Sequence, residues 1–259
     1  MFALSIAGFD PSGGAGVLMD VKVWALMDIK GAGVISALTV QSGRRFTGWS
    51  PVSESYFKEA LRVTLSDLPI KGIKVGMLGS ERLVCILAEM LSEVRDRVSW
   101  VVFDPVLRAT LGKSLYSGAS YLTALRERLL PLVDYITPNF QELSALFGVE
   151  EEEGPLLEKA LSSAISRYRL KGIILTGLSS GEEKGDLFFE KGGKKKFLTT
   201  KSLPREFHGT GCAFSSAFLG FLLKGFSPEE AFEKAKNWLY LYLEKAVKTH
   251  LEGELCLFL

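Results

Sequence analysis

The sequence predicts an α/β fold: a mostly parallel central sheet, helices on both faces and a hairpin at one edge. Three observations carry this prediction. Short β-branched or aromatic runs alternate with stretches of helical period along most of the chain. Residues rich in Gly, Pro, Asn and Asp follow those runs, and late in the chain the alternation gives way to a lysine-rich turn between two short runs.

The strand candidates are 3–7, 33–40, 72–75, 100–103, 135–137 and 172–176. Between them, Phe57, Leu61 and Leu65, then Leu83, Leu87 and Leu91, recur at helical spacing. Such alternation fits parallel strands joined by covering helices. Runs 186–190 and 196–199, joined through Lys191-Gly192-Gly193-Lys194, read as the edge hairpin, where lysines discourage pairing with other chains. The last helix starts with Ser227 as N-cap, Pro228 in the first turn and Glu230 three residues after the cap, and is expected to reach about Thr249. The glutamates at 150–153 read as a solvated loop before a helix. With no linker, repeat or low-complexity tract, one domain over 1–259 is expected.

Composition narrows the partners. Of the 259 residues 47% are hydrophobic and 24% charged, enough for a sizeable core. Lys and Arg total 31 against 30 Asp and Glu, so no overall field recruits nucleic acid or an anionic membrane, and an anionic ligand must be held locally. Cys85, Cys212 and Cys256 are odd in number and far apart, which argues against a disulfide framework and for a reducing cytoplasm. The apolar N-terminus lacks a basic leader and reads as a first strand rather than a signal peptide. The apolar stretch 213–223 is too short to span a bilayer, and Ser215 and Ser216 interrupt it.

In open parallel sheets, ligands bind beyond the carboxyl ends of the strands. Here those ends carry Gly8-Phe9-Asp10, Gln41, Gly76-Met77, Asp104-Pro105, Pro138-Asn139 and Gly177. Turns favour the same residue types, so any one end is weak evidence, whereas all of them together have the composition of a site. The first loop, Asp10-Pro11-Ser12-Gly13-Gly14-Ala15-Gly16, leads into a helix, but it is neither a Walker A loop nor a complete GxGxxG. The second, His208-Gly209-Thr210-Gly211-Cys212, offers unpaired N–H groups at a helix N-terminus, suited to a transferring phosphoryl group. The same field would favour a thiolate on Cys212. Two other readings of Cys212 stand beside this one: a small buried helix residue, or a hydrolase nucleophile paired with His208 or His250.

With both loops placed, the sequence resembles the hydroxymethylpyrimidine/phosphomethylpyrimidine kinases of thiamin biosynthesis, within the ribokinase superfamily. The likeness runs nearly end to end. Besides the two loops it comprises Asp20 and Lys22, Thr39-Val40-Gln41, Lys74-Val75-Gly76-Met77-Leu78, Asp104-Pro105-Val106, and Thr137-Pro138-Asn139 with Glu142. It implies a ribokinase-like three-layer α/β/α fold and a cytoplasmic, homodimeric enzyme. The implied reaction moves the ATP γ-phosphoryl group to the hydroxymethyl of 4-amino-5-hydroxymethyl-2-methylpyrimidine, and then to the resulting monophosphate. By the same resemblance Gln41 would bond the ring edge, with Gly8, Asp10, Ala15, Met77 and Val106 around the ring. Cys212 would be the base, with Gly209, Thr210 and Gly211 as the anion hole. Asp104, Asn139, Glu142, Thr176 and Gly177 would serve ATP, and Asp104 and Glu142 would serve Mg2+ through water.

The chain departs from that pattern in three places. Where the family has Lys-Gly-Gly-His, it reads Thr176-Gly177-Leu178-Ser179, so a phosphate-facing lysine is missing unless Arg108, Lys113 or Lys184 replaces it. The Asn-Thr expected after Gln41 is replaced by Ser42-Gly43-Arg44-Arg45-Phe46, in which Arg44 or Arg45 is a candidate phosphate contact or simply a solvated pair. Phe9 stands where a small Ser or Thr is common. Pyridoxal/pyridoxine kinase and a non-catalytic pyrimidine-binding protein are the competing readings.

Overall fold

A computed structural model describes residues 1–42, 45–108, 114–116, 118, 120–150, 154–180, 183–200 and 207–249. Arg44, Lys113, His250, Cys256 and the glutamates at 151–153 lie outside the described residues, as does the side chain of Lys184.

The chain opens with β1 (Phe2–Phe9), α1 (Gly16–Leu26) and a long β2 (Lys30–Ser42), which turns back into β3 (Arg45–Pro51). Then come α2 (Glu54–Asp67), β4 (Ile70–Val75), α3 (Glu81–Val94), β5 (Trp100–Phe103), α4 (Ser120–Ala124) and β6 (Tyr135–Ile136). After α5 (Phe140–Phe147) and α6 (Gly154–Tyr168), the strands β7 (Gly172–Ser180), β8 (Glu183–Glu190) and β9 (Lys195–Thr200) follow in succession. The long helices α7 (Thr210–Leu223) and α8 (Pro228–Thr249) complete the described chain.

The strands form a single sheet in the order β3-β2-β1-β4-β5-β6-β7-β8-β9. From β2 through β7 every pairing is parallel, whereas β3, β8 and β9 pair antiparallel at the two edges. All six expected parallel strands are present, and so is the β8–β9 hairpin. The second edge hairpin, β2–β3, is an addition: Arg45–Pro51 pairs back onto β2 across a bulge between Val40 and Gln41, and with Phe46 and Trp49 three apart its sequence carries no clean period of two. Gln41 accordingly lies within a strand, opposite Phe46, rather than just beyond one.

Side chains alternate between the two helical layers. Leu4, Ile6, Val101 and Phe103 join the core beneath α2, α3, α5 and α6, while Ala3 and Val102 join the core beneath α1, α7 and α8. Helix α7 is buried nearly all round because α1, α8 and the sheet surround it, which explains its continuous apolar run. No helix among the described residues is long and apolar enough to cross a membrane. The hairpin lysines do more than keep the edge solvated: Lys194 and Lys196 pair with Glu229, Lys196 also with Glu233, and Lys195 with Glu158.

Strand order reverses between β1 and β4, since the chain first builds outward to β2 and β3 and then returns to the other side of β1. A crevice beyond the carboxyl ends of the strands is expected at such a reversal. The candidate site opens there.

Candidate active site

A cleft of about 840 Å3 lies over the tips of β1, β4, β5 and β6 and against the start of α7. Its wall includes Gly8, Asp10, Ala15, Gln41, Met77, Asp104, Val106, Asn139, Glu142, Thr176 and all four residues 209–212. The two halves of the expected site, Gln41 with Met77 and the turn before α7, therefore share one cavity. Gly177 is not a wall residue; it adopts φ 71° and donates its N–H to Asp186 Oδ1 at 2.9 Å. Arg45 is exposed on β3 and is not a wall residue, whereas Arg108 is one. Phe46, Tyr116 and Phe140 also line the cleft; sequence reasoning missed them because the edge strand β3, a loop and a helix start deliver them, not the tips of the parallel strands.

Close backbone approach builds the glycine turns. Gly209, the N-cap of α7, has φ 84°, and a Cβ there would sit 1.7 Å from Gly14 O. Gly16 has φ 62°, and its Cβ would meet Gly8 O at 2.1 Å. Only glycine fits either place. The turn after β1 and the turn before α7 are thus pressed together, and a Cβ on Gly211 would lie 3.9 Å from Asp104 Oδ2.

Beneath the turns is a buried polar network. Lys74 Nζ lies 2.9 Å from Asp20 Oδ1 and 3.7 Å from Asp104 Oδ2. Ser5 and Ser216 donate to Asp20 at 2.5 and 2.7 Å, and Ser215 donates to Asp104 at 3.1 Å. The two serines that interrupt the apolar run of α7 are the donors this network needs. Burial works against the Lys74 ammonium, but Asp20, Cys212 and Asp104 outweigh it and raise its pKa. Burial also raises Asp104, with Lys74 opposing.

Burial works against the thiolate expected on Cys212: it pushes the thiol up to about 12, with Lys74 opposing and Asp104 adding to the rise. His208 places its Nε2 3.0 Å from Asp10 Oδ2, engaging the ring with a carboxylate on the turn after β1. That geometry gives no support to a Cys–His nucleophile at this place.

Asn139 and Glu142 form a capping box on α5. Asn139 Oδ1 accepts from the N–H of Glu142 at 2.9 Å, and Glu142 Oε2 accepts from the N–H of Asn139 at 3.0 Å. Burial pushes the Glu142 carboxyl up to about 8, and the nearby Asp104 adds to the rise. Among the described residues no group of three acidic, His or Cys side chains forms a metal cage. Two facing carboxylates and the buried, unpartnered hydroxyl of Thr137 in the same wall nevertheless fit a hydrated cation shared with phosphate oxygens.

A ribokinase-like sheet whose strand tips face the glycine-capped start of a buried helix defines a small-molecule kinase. The chain belongs to the phosphomethylpyrimidine kinase family, whose family model matches residues 10–254. It is 34% identical over 245 residues to the hydroxymethylpyrimidine/phosphomethylpyrimidine kinase of Aquifex aeolicus, covering 92% of both chains. With the Escherichia coli enzyme of the same name it shares 33% over 249 residues, covering 94% of this chain and 91% of the relative. It also matches a bifunctional thiamine biosynthesis protein of Geobacter sulfurreducens at 33% identity, spanning 48% of that longer chain. Among solved structures, phosphomethylpyrimidine kinase from Clostridium difficile superposes with TM-score 0.80 at 26% identity, covering 94% of this chain and 99% of that one. Pyridoxal kinase from Staphylococcus aureus, in complex with AMP-PCP and pyridoxal, gives 0.82 at 26% identity, covering 94% and 87%.

Proposed function

We propose that this protein transfers the γ-phosphoryl group of ATP to the hydroxymethyl of 4-amino-5-hydroxymethyl-2-methylpyrimidine and then to its monophosphate, as a single kinase domain over 1–259. The observation that carries the reading is one cleft holding Gln41 and Met77 on one wall and the N–H groups of 209–212 on another. Phosphoryl transfer asks chiefly for positioning and charge neutralisation, and such a cleft can supply both.

In this reading the ring lies between Gly8, Ala15, Met77 and Val106, with Gln41 bonding its amino and ring-nitrogen edge and Asp10 beside it. The hydroxymethyl oxygen attacks the γ-phosphorus while the bond to the β,γ-bridging oxygen breaks and ADP leaves. Backbone N–H groups of Gly209, Thr210 and Gly211 take the charge on the transferring group. Cys212 enters as a thiol. It accepts the hydroxyl proton as its own passes to the neighbouring carboxylate of Asp104, which lines the same cleft. Thr176 and the α5 cap residues Asn139 and Glu142 form the nucleotide side, with Gly177 holding Thr176 from outside the wall, and Arg108 is a wall cation that offsets the missing lysine. Asp104 and Glu142 would hold Mg2+ through water, and the ion would neutralise phosphate charge.

We also place the protein in the cytoplasm as a homodimer, with neither nucleic acid nor membrane as a partner. The near-zero net charge, the unpaired Cys85 and Cys212, and the exposed Leu38 and Val40 on β2 support that placement.

A product-resolved assay with the hydroxymethylpyrimidine, its monophosphate and pyridoxine tests the reading. Phosphorylation of both pyrimidines is expected; phosphorylation of pyridoxine alone would favour the pyridoxal kinase reading, and ligand binding without turnover a binding protein. Cys212→Ser is expected to bind the pyrimidine and lose most turnover, and full activity in that variant would remove Cys212 from the reaction.

A further inference from the structure

We infer that Lys74 is a positioning residue for phosphoryl transfer: its buried ammonium holds the cleft carboxylate of Asp104 from behind and sets a fixed positive charge beneath the turn at 209–212. The inference rests on the kinase reading above and assigns that site a residue that does not line it.

The geometry separates two roles. Lys74 sits in the penultimate position of β4, wholly buried, and its side chain points into the layer of α1 and α7. Behind it, Asp20 is 2.9 Å away and already accepts from Ser5 and Ser216. In front of it, Asp104 Oδ2 is 3.7 Å away and accepts from Ser215. The consecutive serines of α7 thus divide between the two carboxylates, and the ammonium bridges them. It also lies just under the cleft floor, since a Cβ on Gly76 would be 3.6 Å from Nζ.

Stability alone does not call for this arrangement. A buried ion pair is often no more stabilising than apolar residues of the same volume. A cation touching a wall carboxylate, under a helix start suited to phosphate, adds to the field the reaction needs, and it does so without exposing a flexible lysine to the substrate.

The competing role is that Lys74 merely partners Asp20. Comparing wild type, Asp20→Asn and the double variant Asp20→Asn with Lys74→Gln separates the two, because Asp20 is absent from both variants. Steady-state kinetics with the hydroxymethylpyrimidine and ATP, together with thermal melts, are the measurements. Asp20→Asn should keep kcat within about twofold of wild type. The double variant should lose a further ~10–100-fold in kcat, the range typical of supporting residues, with the KM for the pyrimidine unchanged. A double variant that melts and turns over like Asp20→Asn overturns the inference. If the Gln variant does not fold, Lys74→Met in the same background replaces it, and failure of both to fold makes Lys74 a folding residue, which also overturns the assignment. A wild type with no turnover on the pyrimidine sinks the kinase reading and this inference with it, an outcome distinct from wild-type turnover that the double variant matches.

Discussion

His208 Nε2 lies 3.0 Å from Asp10 Oδ2, so one buried contact ties the glycine turn after β1 to the glycine turn before α7. The other carboxylate oxygen accepts from the N–H and hydroxyl of Ser12 at 2.9 and 2.7 Å. Burial would raise the Asp10 carboxyl, but the hydrogen bonds from His208 and Ser12 outweigh it and hold the group below its ordinary value. The unfolded chain therefore binds the proton more tightly, and the stability this group contributes is present above the ordinary aspartate range and lost as pH falls through the depressed value. Asp10→Asn should cost about 1.5–3 kcal/mol near neutral pH, as expected for a hydrogen bond to a charged group. Urea unfolding at pH 7 and below pH 4 checks this: the gap between variant and wild type should narrow in acid.

Two glycines with similar backbones should respond differently to alanine. Gly209 (φ 84°) and Gly177 (φ 71°) both occupy the left-handed region, so either substitution carries a strain of roughly 1 kcal/mol. A Cβ at Gly177 meets nothing within 4 Å, whereas one at Gly209 would overlap Gly14 O. Gly177→Ala should lower Tm by a few degrees, about 2–4 °C for a domain of this size. Gly209→Ala must push the two turns apart, and turnover should drop at least about 100-fold, as when one anion-hole donor is lost. Melts and initial rates measured side by side test the contrast; equal behaviour would mean the turns are not pressed together.

Most of the sheet was legible because parallel strands buried on both faces leave unmistakable apolar runs, from 3–7 to 172–176. The candidate cleft was legible as well, since strand order brings Asp10, Gln41, Asp104 and Asn139 to one wall, while Gly177 stays outside it. Two kinds of information were hidden. Arg45 and the glycine at 48 made β3 look like loop, and only its pairing with β2 shows it to be an edge strand. Charge states were the other: the helix dipole at Cys212 suggested a thiolate, and what the sequence does not display is that burial and the nearby Asp104 both work against one. His208 invited a Cys–His reading for the same reason, since its partner Asp10 is 198 residues away.

Glu142 should couple nucleotide binding to proton release. Its carboxyl is pushed up to about 8 by burial and by Asp104, so at pH 7 the free protein holds a proton there that the unfolded chain does not. The sign follows: this contribution to stability is full below the ordinary glutamate range and fades as pH rises toward 8. A bound cation favours the ionised form, so binding of Mg-ATP at pH 7 should expel the proton. Calorimetric titrations in two buffers of different ionisation enthalpy measure the release, which should approach one proton per site in wild type and vanish in Glu142→Gln. A release that is unchanged in Glu142→Gln would assign the proton elsewhere.

The turn at Thr176 is held from α8. Lys236 Nζ donates to Asp186 Oδ2 at 2.6 Å, and Asp186 Oδ1 accepts the Gly177 N–H, so a nearly buried ion pair fixes the left-handed residue next to a cleft-wall threonine. Neither Lys236 nor Asp186 is a wall residue. Their influence on catalysis must therefore pass through the position of Thr176, which the proposed function puts on the nucleotide side of the cleft. Asp186→Ala leaves the Gly177 N–H without its acceptor and Lys236 without its partner. The resulting freedom of Thr176 should raise the KM for ATP about tenfold, equivalent to ~1.4 kcal/mol. The KM for the pyrimidine should hold, because Gln41 and Met77 belong to β2 and the tip of β4, on the far side of β5 and β6 from this turn. Varying each substrate at saturating concentrations of the other separates the two constants. A rise in both would mean that the pair supports the sheet as a whole rather than the nucleotide wall alone.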